Sequence, residues 1–568
     1  MGGKPGRVAV IEQLLADGFT HMFGNPGTVE QGFLDVLSDY PSMKYFLTLQ
    51  ESVAVLVADG YARAARRPAL VQLHSSPGLG NGIGALYQAK RGHSPLVVIA
   101  GDAGVRYGAM DAQMAADLVG MAQPVTKWAT MVQHPSSLLR VLRRAYKVAV
   151  TPPMGPVYVC LPQDMLDEPN NEEVRPTSKV STRVAPDEDT IETIARALVG
   201  AKRPVILAGN GVAYAGAESE LQQIAESVGA EVYEVDNGEW LMPSDHPLFT
   251  GSTGHMFGSY SKPILSRADV VLVVGTYVVP EVFPELGDVF ARDARVFHID
   301  LDSWEIAKNH PVELGMVADP KLSLEKLVSA LGKAHSSGSK DAAKRRYGEA
   351  AEMKSRALAQ QLEKDAQSAG NTPMQFHTFA KELAARLPTD AILFDEALTN
   401  SPPIQRYRPT RERGQYFLTR GGSLGVGIPG AIGAKVARPD KTVVGFSGDG
   451  GSMYTIQALW SAVRHDVDAK FVVCNNRSYR LLQANIQQWW KEQSVTPHGY
   501  PLPFDLSWPP LRFDEMAKSM GVPSVRVERP EAIPAAVAQM LDHKGPFLCD
   551  VVVEGDVRPD LIGVHCGQ

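Results

Sequence analysis

Two short clusters in the last third of the chain carry residue types that hold a hard cation and a phosphate. A β-branched run, Lys441-Thr-Val-Val-Gly-Phe-Ser447, leads into Gly448-Asp449-Gly450-Gly451-Ser452, and a second run, Phe471-Val-Val-Cys474, leads into Asn475-Asn476-Arg477-Ser478-Tyr479. With the helical pattern Ile456–His465 between them, they form a strand–helix–strand unit whose strands are parallel. Asp449 and Asn476 then both lie just past carboxyl ends of strands, the edge where such sheets bind ligands. A carboxylate, an amide oxygen and a loop carbonyl form an oxygen set suited to Mg²⁺, which shares its ligands with phosphate oxygens. The glycines allow backbone N–H groups to approach a diphosphate. Each cluster alone reads as a strand-ending turn; it is their pairing that points to a cation and a diphosphate.

The elements that must position these residues are legible as short apolar runs alternating with helical patterns: Leu70–Leu73, Leu96–Ala100, Val157–Cys160, Val205–Ala208, Val270–Val274, Val296–Ile299, Thr442–Phe446, Phe471–Cys474 and Phe547–Val553. That rhythm predicts doubly wound parallel sheets. Polar segments at Asp164–Thr190 and Gly332–Lys344 read as linkers and divide the chain into α/β domains over 1–165, 190–330 and 345–568. The first and last could be versions of one fold. A net charge of −7 with 44% hydrophobic and 21% charged residues excludes a disordered chain and gives no basic excess for nucleic acid. Cys160, Cys474, Cys549 and Cys566 lack CxxC or zinc spacing, so neither a disulfide framework nor a structural metal is expected, and a reducing cytoplasm is the default. No apolar run approaches the ~20 residues of a membrane span.

Gly448-Asp449-Gly450 followed by Asn475-Asn476 resembles the cofactor signature of the thiamine diphosphate (ThDP) enzymes. The resemblance implies Asp449, Asn476 and the Ser478 carbonyl as Mg²⁺ ligands, with Gly448, Gly450, Gly451 and Tyr479 around the diphosphate. It extends over nearly the whole chain. Glu51, in Leu49-Gln50-Glu51-Ser52, matches the glutamate that hydrogen-bonds N1′ of the aminopyrimidine; on its own it reads as an acid in a first helical turn. Gly421-Gly422-Ser423-Leu424-Gly425 matches the segment in which Leu424 wedges beneath the thiazolium and the Gly422 carbonyl accepts from N4′. The same residues spell the Gly-x-Ser-x-Gly of a serine-hydrolase elbow, between Gln415–Leu418 and Ala431–Ala437. Glu396, Leu398 and Thr399 follow the strand Ala391–Phe394 and match the loop on the diphosphate side.

Gly24-Asn25-Pro26-Gly27-Thr28 and Leu73-His74-Ser75-Ser76-Pro77-Gly78 look most like benzoylformate decarboxylase and its relatives, which implies that Thr28 and His74 face the substrate. Alone, His74 reads as a turn histidine. Gly80-Asn-Gly82-Ile-Gly-Ala85 also loosely fits a dinucleotide fingerprint. Three departures bear on the substrate. No histidine falls in Tyr277–Phe283, where those decarboxylases carry a second one; Leu482 stands where pyruvate decarboxylases carry an acid; and the tail 554–568 is long enough to fold over a site mouth. These features look more like the 2-hydroxyacyl-CoA lyases, which release a ketone or aldehyde plus formyl-CoA. Gln113, Met114 and Leu481 join His74 as expected neighbours of the acyl group. Glu492 can take a hydroxyl proton, whereas Gln493, an amide, can only orient. Arg406, Arg408 and Arg558 are expected to meet CoA phosphates, although any one of them also reads as part of a solvated charged face. Ala208-Gly-Asn-Gly211 and His298–Asp302 suit ADP or CoA in the middle domain, or FAD as in acetolactate synthases. An aromatic 2-oxoacid decarboxylase, an acetolactate-synthase-like carboligase and a silent regulatory relative remain as alternatives. Because Glu51 and the Mg²⁺ motif belong to different domains, the resemblance implies a homodimer that completes the site, assembled further into a homotetramer.

Overall fold

The alternating runs build three parallel six-stranded sheets in a computed structural model that describes residues 3–555. The first comprises β2 to β7 out of the strands β1 (Lys4–Pro5), β2 (His21–Gly24), β3 (Lys44–Leu47), β4 (Ala69–Leu73), β5 (Leu96–Asp102), β6 (Trp128–Met131), β7 (Val157–Pro162) and β8 (Pro169–Asn170), in the order β3-β2-β4-β5-β7-β6. The short β1 and β8 pair antiparallel beside it. The second sheet comprises β9 (Pro204–Ala208), β10 (Glu231–Glu234), β11 (Phe249–Ser252), β12 (Val270–Val274), β13 (Arg295–Asp300) and β14 (Leu314–Val317), ordered β11-β10-β9-β12-β13-β14. The third comprises β15 (Ile392–Glu396), β16 (Tyr416–Leu418), β17 (Val443–Gly448), β18 (Ala469–Asn475), β19 (Ser524–Val527) and β20 (Phe547–Val552), ordered β16-β15-β17-β18-β20-β19. Central strands such as β12 and β18 are buried along their whole length, which is why they read as unbroken apolar runs rather than alternations.

The linker expected at Gly332–Lys344 is a correction. It is helical on both sides of His335–Ser336, in Pro320–Ala334 and Ser337–Ser368. Ser336 and Ser339 cap the second helix reciprocally, so the small polar residues that suggested a loop serve as a capping box. Of the linker expected at Asp164–Thr190, residues 171–187 carry no helix or strand, but its start is helical in Gln163–Asp167 and paired with β1 in Pro169–Asn170, and its end opens helix Glu188–Gly200.

The first and third sheets are joined through a shared layer of helices. Helix Glu51–Ala65 crosses helix Gly427–Ala437 at backbone distance: a methyl on Gly60 would lie 2.2 Å from the Gly430 carbonyl oxygen, and one on Gly433 would lie 2.0 Å from that of Val57. One apolar core therefore runs from Val71 and Val98 through Val57 and Ile432 to Val443 and Phe471. Two buried arginines tie in the middle domain. Arg63 donates to Glu239 Oε1 at 2.9 Å and to the carbonyls of Gly238 and Leu418, and Arg420 donates to Tyr214 Oη at 2.7 Å and Ser94 Oγ at 3.2 Å. Arg420 immediately precedes Gly421 and Gly422, so this junction anchors a segment that the sequence singles out.

Candidate functional site

Strand β17 ends at Gly448 and delivers Asp449 into the first turn of helix Asp449–Thr455, while β18 ends at Asn475 and delivers Asn476 beside it. Asp449 accepts from the N–H groups of Gly450 at 2.8 Å and Arg477 at 2.5 Å; Asn476 Oδ1 accepts from Ser478 N at 3.0 Å. Burial pushes the Asp449 carboxyl up to about 6, opposed by the N–H groups of Gly450, Arg477 and Ser478 and by Arg480. A divalent cation would reverse that shift, and one carboxylate with an amide oxygen and a carbonyl is an Mg²⁺ donor set rather than a zinc one. Among the described residues no group of three or more His, Cys, Asp or Glu is placed to hold a metal. The Tyr479 ring lies against Gly450, and a methyl on Gly448 would meet nothing within 4 Å, which leaves open space at the strand end for a diphosphate.

Gly421 and Gly422 stand at φ +71° and +73°, a region that glycine alone enters freely, and Gly422 opens onto unfilled space. Ser423 sits within the irregular stretch between β16 and helix Gly427–Ala437 rather than on a strand-to-helix elbow, which removes the hydrolase alternative. Glu396, expected on the diphosphate side, is fully buried, and its oxygens are taken by Gly425 N at 2.6 Å, Gly427 N at 2.7 Å and Ser447 Oγ at 3.1 Å. Burial pushes its carboxyl up to about 7 against those donors. Leu398 is held at φ +52°, and Thr399 is buried in the turn that follows.

In the first domain Glu51 opens helix Glu51–Ala65, and its carboxylate accepts from Asn25 Nδ2 at 3.1 Å and Asn81 Nδ2 at 3.0 Å. Asn25 comes from the loop after β2. Asn81 lies inside helix Ser75–Arg91, whose glycines are helical residues and not a phosphate loop. His74 ends the loop after β4, and its Nδ1 lies 3.0 Å from Glu30 Oε2. Glu30 is buried and also accepts from Gly27 N and Gly101 N, both at 3.1 Å. A methyl on Gly27 would lie 2.0 Å from His74 Nδ1, so the loop that carries Thr28 packs against the His74 ring. Gln113 and Met114 line a cavity of about 480 Å³ with Val29, Ser75, Tyr107 and Met131; Asp102 and Asp111 also line it, and among the described residues no lysine or arginine does.

Several expected residues stand elsewhere. Arg406 is bound to Asp365 at 2.9 Å, and Arg408 donates to the carbonyls of Pro388, Thr389 and Ala391, so neither guanidinium is available for a CoA phosphate. Arg558 and the tail beyond Gly555 lie outside the described residues. Gly211, Asp300 and Asp302 line a cavity of about 470 Å³, but its cations are committed: Lys90 and Lys127 to backbone carbonyls, Arg91 to Asp236, and Lys308 to Glu305. That lining does not fit ADP or CoA. Leu481 is half-buried on helix Arg480–Glu492, while Glu492 and Gln493 are exposed at its end, with Glu492 bonded by Gln488. Burial and the Glu492 carboxylate both raise the Tyr260 phenol, which sets this helix end beside the middle domain.

Four residues with a place in the site carried no role in the sequence reading: Asn25, Asn81, Glu30 and His255. The first three flank motifs already noted, and only the fold shows that their side chains converge. His255 follows β11 and shares a polar cavity of about 20 Å³ with Asp236, Arg420, Gly421 and Gly422, and no local pattern announces it.

Family models for the thiamine pyrophosphate enzymes match along the chain: the N-terminal TPP binding domain over 5–121, the central domain over 191–327 and the C-terminal TPP binding domain over 400–551. The chain is 30% identical over 549 residues to a benzoylformate decarboxylase of Pseudomonas aeruginosa, covering 96% of this chain and 98% of that protein. It is 27% identical over 583 residues to an acetolactate synthase large subunit of Lactococcus lactis, covering 99% and 96%. A thiamine diphosphate-dependent 4-hydroxybenzoylformate decarboxylase of Rhodococcus jostii superimposes with a TM-score of 0.83 at 26% identity, covering 97% of this chain and 100% of that one.

Proposed function

The chain belongs to the thiamine pyrophosphate enzyme family, and from that premise we propose that it is a ThDP- and Mg²⁺-dependent carbon–carbon lyase that cleaves a 2-hydroxyacyl-CoA, such as 2-hydroxyisobutyryl-CoA, into a ketone or aldehyde and formyl-CoA. The observation that carries the substrate class is the cavity at Gln113 and Met114, whose lining holds two aspartates and, among the described residues, no lysine or arginine. A free 2-oxoacid brings a carboxylate that this lining would leave unpaired, whereas a thioester brings an uncharged acyl group.

Bound ThDP supplies the nucleophilic carbon and the electron sink. The chain's own residues then hold and move protons. Asp449, Asn476 and the Ser478 carbonyl would hold Mg²⁺. Glu51, fixed by the two amide donors Asn25 and Asn81, would hold or release a proton at its carboxylate toward the aminopyrimidine when the cofactor is bound. His74 commits Nδ1–H to Glu30, which leaves Nε2 to accept a proton from the substrate hydroxyl or return one. Among the described residues the polar partners of Glu51 come from its own domain, as do those of Asp449. Large apolar side chains stand exposed beside each half-site, Leu49 near Glu51 and Met453 and Tyr454 near Asp449. Both facts favour a second copy of the chain across a two-fold axis, the two half-sites completing each other.

A benzoylformate-type decarboxylase is the second reading, favoured by the His74–Glu30 pair beside Thr28. Incubating the protein with ThDP and Mg²⁺ separates the two. With 2-hydroxyisobutyryl-CoA, formyl-CoA and acetone are expected by chromatography; CO₂ released from benzoylformate, with no cleavage of the thioester, would overturn the lyase assignment.

A further inference from the structure

We propose that Glu396 is a positioning residue that sets the height of the Leu424 segment and locks it to the cation motif. Its carboxylate links three places at once: it ends β15, accepts from the N–H groups of Gly425 and Gly427 on either side of Val426, and accepts from Ser447 Oγ, two residues before Asp449. Among the described residues no lysine, arginine or histidine is bonded to it. A buried carboxylate offset by hydrogen bonds but by no cation among those residues is still costly, and the bonds it makes show what it does.

The geometry supplies one. Both carboxylate oxygens face N–H donors, and a carboxylate is the only side-chain group of this length with an acceptor at each end. Glutamine would turn an NH₂ group toward one of those donors. The segment being held needs an external tie, because Gly421, Gly422 and Gly425 all stand at positive φ, between +71° and +87°, and such a glycine run has little conformational preference of its own. Gly425 is clamped from the other side as well, its carbonyl accepting from Thr455 Oγ1 at 2.7 Å. Leu424, the residue that meets the thiazolium in the family, is thus carried by a glycine chain whose fixed points are Arg420 at one end and Glu396 at the other.

The inference rests on the family assignment and not on the substrate, and its test needs no substrate. Glu396→Gln is prepared as apo and holo protein. In the apo protein, amide hydrogen exchange is expected to quicken in peptides spanning 419–427 and to remain as in wild type elsewhere. In the holo protein, exchange of the ThDP C2 proton is expected to slow by ~10–100-fold, as for a misplacement of about 1 Å, while ThDP affinity in Mg²⁺ changes less than ~3-fold. Unchanged C2 exchange would overturn the proposal. So would an affinity loss of ~100-fold with the 419–427 amides unmoved, which would make Glu396 a direct cofactor contact. Should Glu396→Gln fail to fold, Ser447→Ala removes one of the same three bonds, and a ~3-fold slowing of C2 exchange is expected; no slowing there would equally refute it.

Discussion

Glu30 and His74 show how a side chain gains a role from its neighbours. A histidine whose Nδ1 faces a buried carboxylate at 3.0 Å is fixed in one tautomer and one ring orientation. Glu30 is itself held by two backbone donors, and burial raises its carboxyl. Glu30→Gln keeps the size but removes the charge that orients the imidazole, and it turns an NH₂ group toward Gly27 N or Gly101 N, which now face different oxygens. The expected outcome is a fall in kcat of ~10–100-fold with ThDP affinity unchanged, and no further loss when His74→Ala is added. Additive losses in that double variant would separate the two residues. At this scale the sequence was a partial guide. Asp449, Asn476, Glu51 and His74 stand where their motifs implied, at strand ends and a helix start. Glu30, Asn81 and His255 were not legible, because convergence across 30 residues or more is a property of the fold and leaves no local spacing. Arg406 and Arg408 misled for the converse reason: a cationic run reads alike whether its charges face solvent or Asp365 and backbone carbonyls.

At the scale of elements, β-branched runs and their spacing were sufficient to find the central strands, since parallel strands buried on both faces leave long apolar stretches. The linker at Gly332–Lys344 failed because serine and glycine serve a helix cap as well as a loop. The crossing of helices Glu51–Ala65 and Gly427–Ala437 had no signature beyond its glycines, which look like any others until a partner backbone is seen against them. Gly433→Ala tests that crossing. Alanine gains ~1 kcal/mol of helix propensity, but its methyl would lie 2.0 Å from the Val57 carbonyl oxygen, and a backbone cannot swing aside as a side chain can. Overpacking costs ~1–3 kcal/mol where the surroundings can yield, so a net loss of stability is expected in urea melts. Gly332→Ala is the control: it sits exposed in helix Pro320–Ala334 with nothing within 4 Å of its added methyl, and should gain ~0.5–1 kcal/mol. Equal effects at both positions would refute the close crossing.

At the scale of the whole molecule, the first and third sheets share one strand order while the second has another, so the expectation that the outer thirds are versions of one fold is borne out in topology. The three sheets meet around Arg63 and Arg420, and His93 stands beside that junction at φ +54°, with its Nδ1 3.3 Å from the Met154 carbonyl. Burial and the nearby Arg420 and Arg91 hold its imidazole down to about 4, against weaker support from Asp236 and Met154. In the unfolded chain the same group takes its proton near 6.5. Between those values the unfolded state binds the extra proton and the folded state does not, so stability must fall as pH drops from 6.5 toward 4. The loss is of order 2 kcal/mol once partial exposure is allowed for. His93→Asn keeps a residue type that tolerates positive φ and removes the titration. Urea unfolding at pH 7, 6 and 5 should therefore show a shallower decline for the variant than for wild type. Parallel declines would mean that His93 takes its proton as readily in the folded protein as in the unfolded chain, and would refute the prediction.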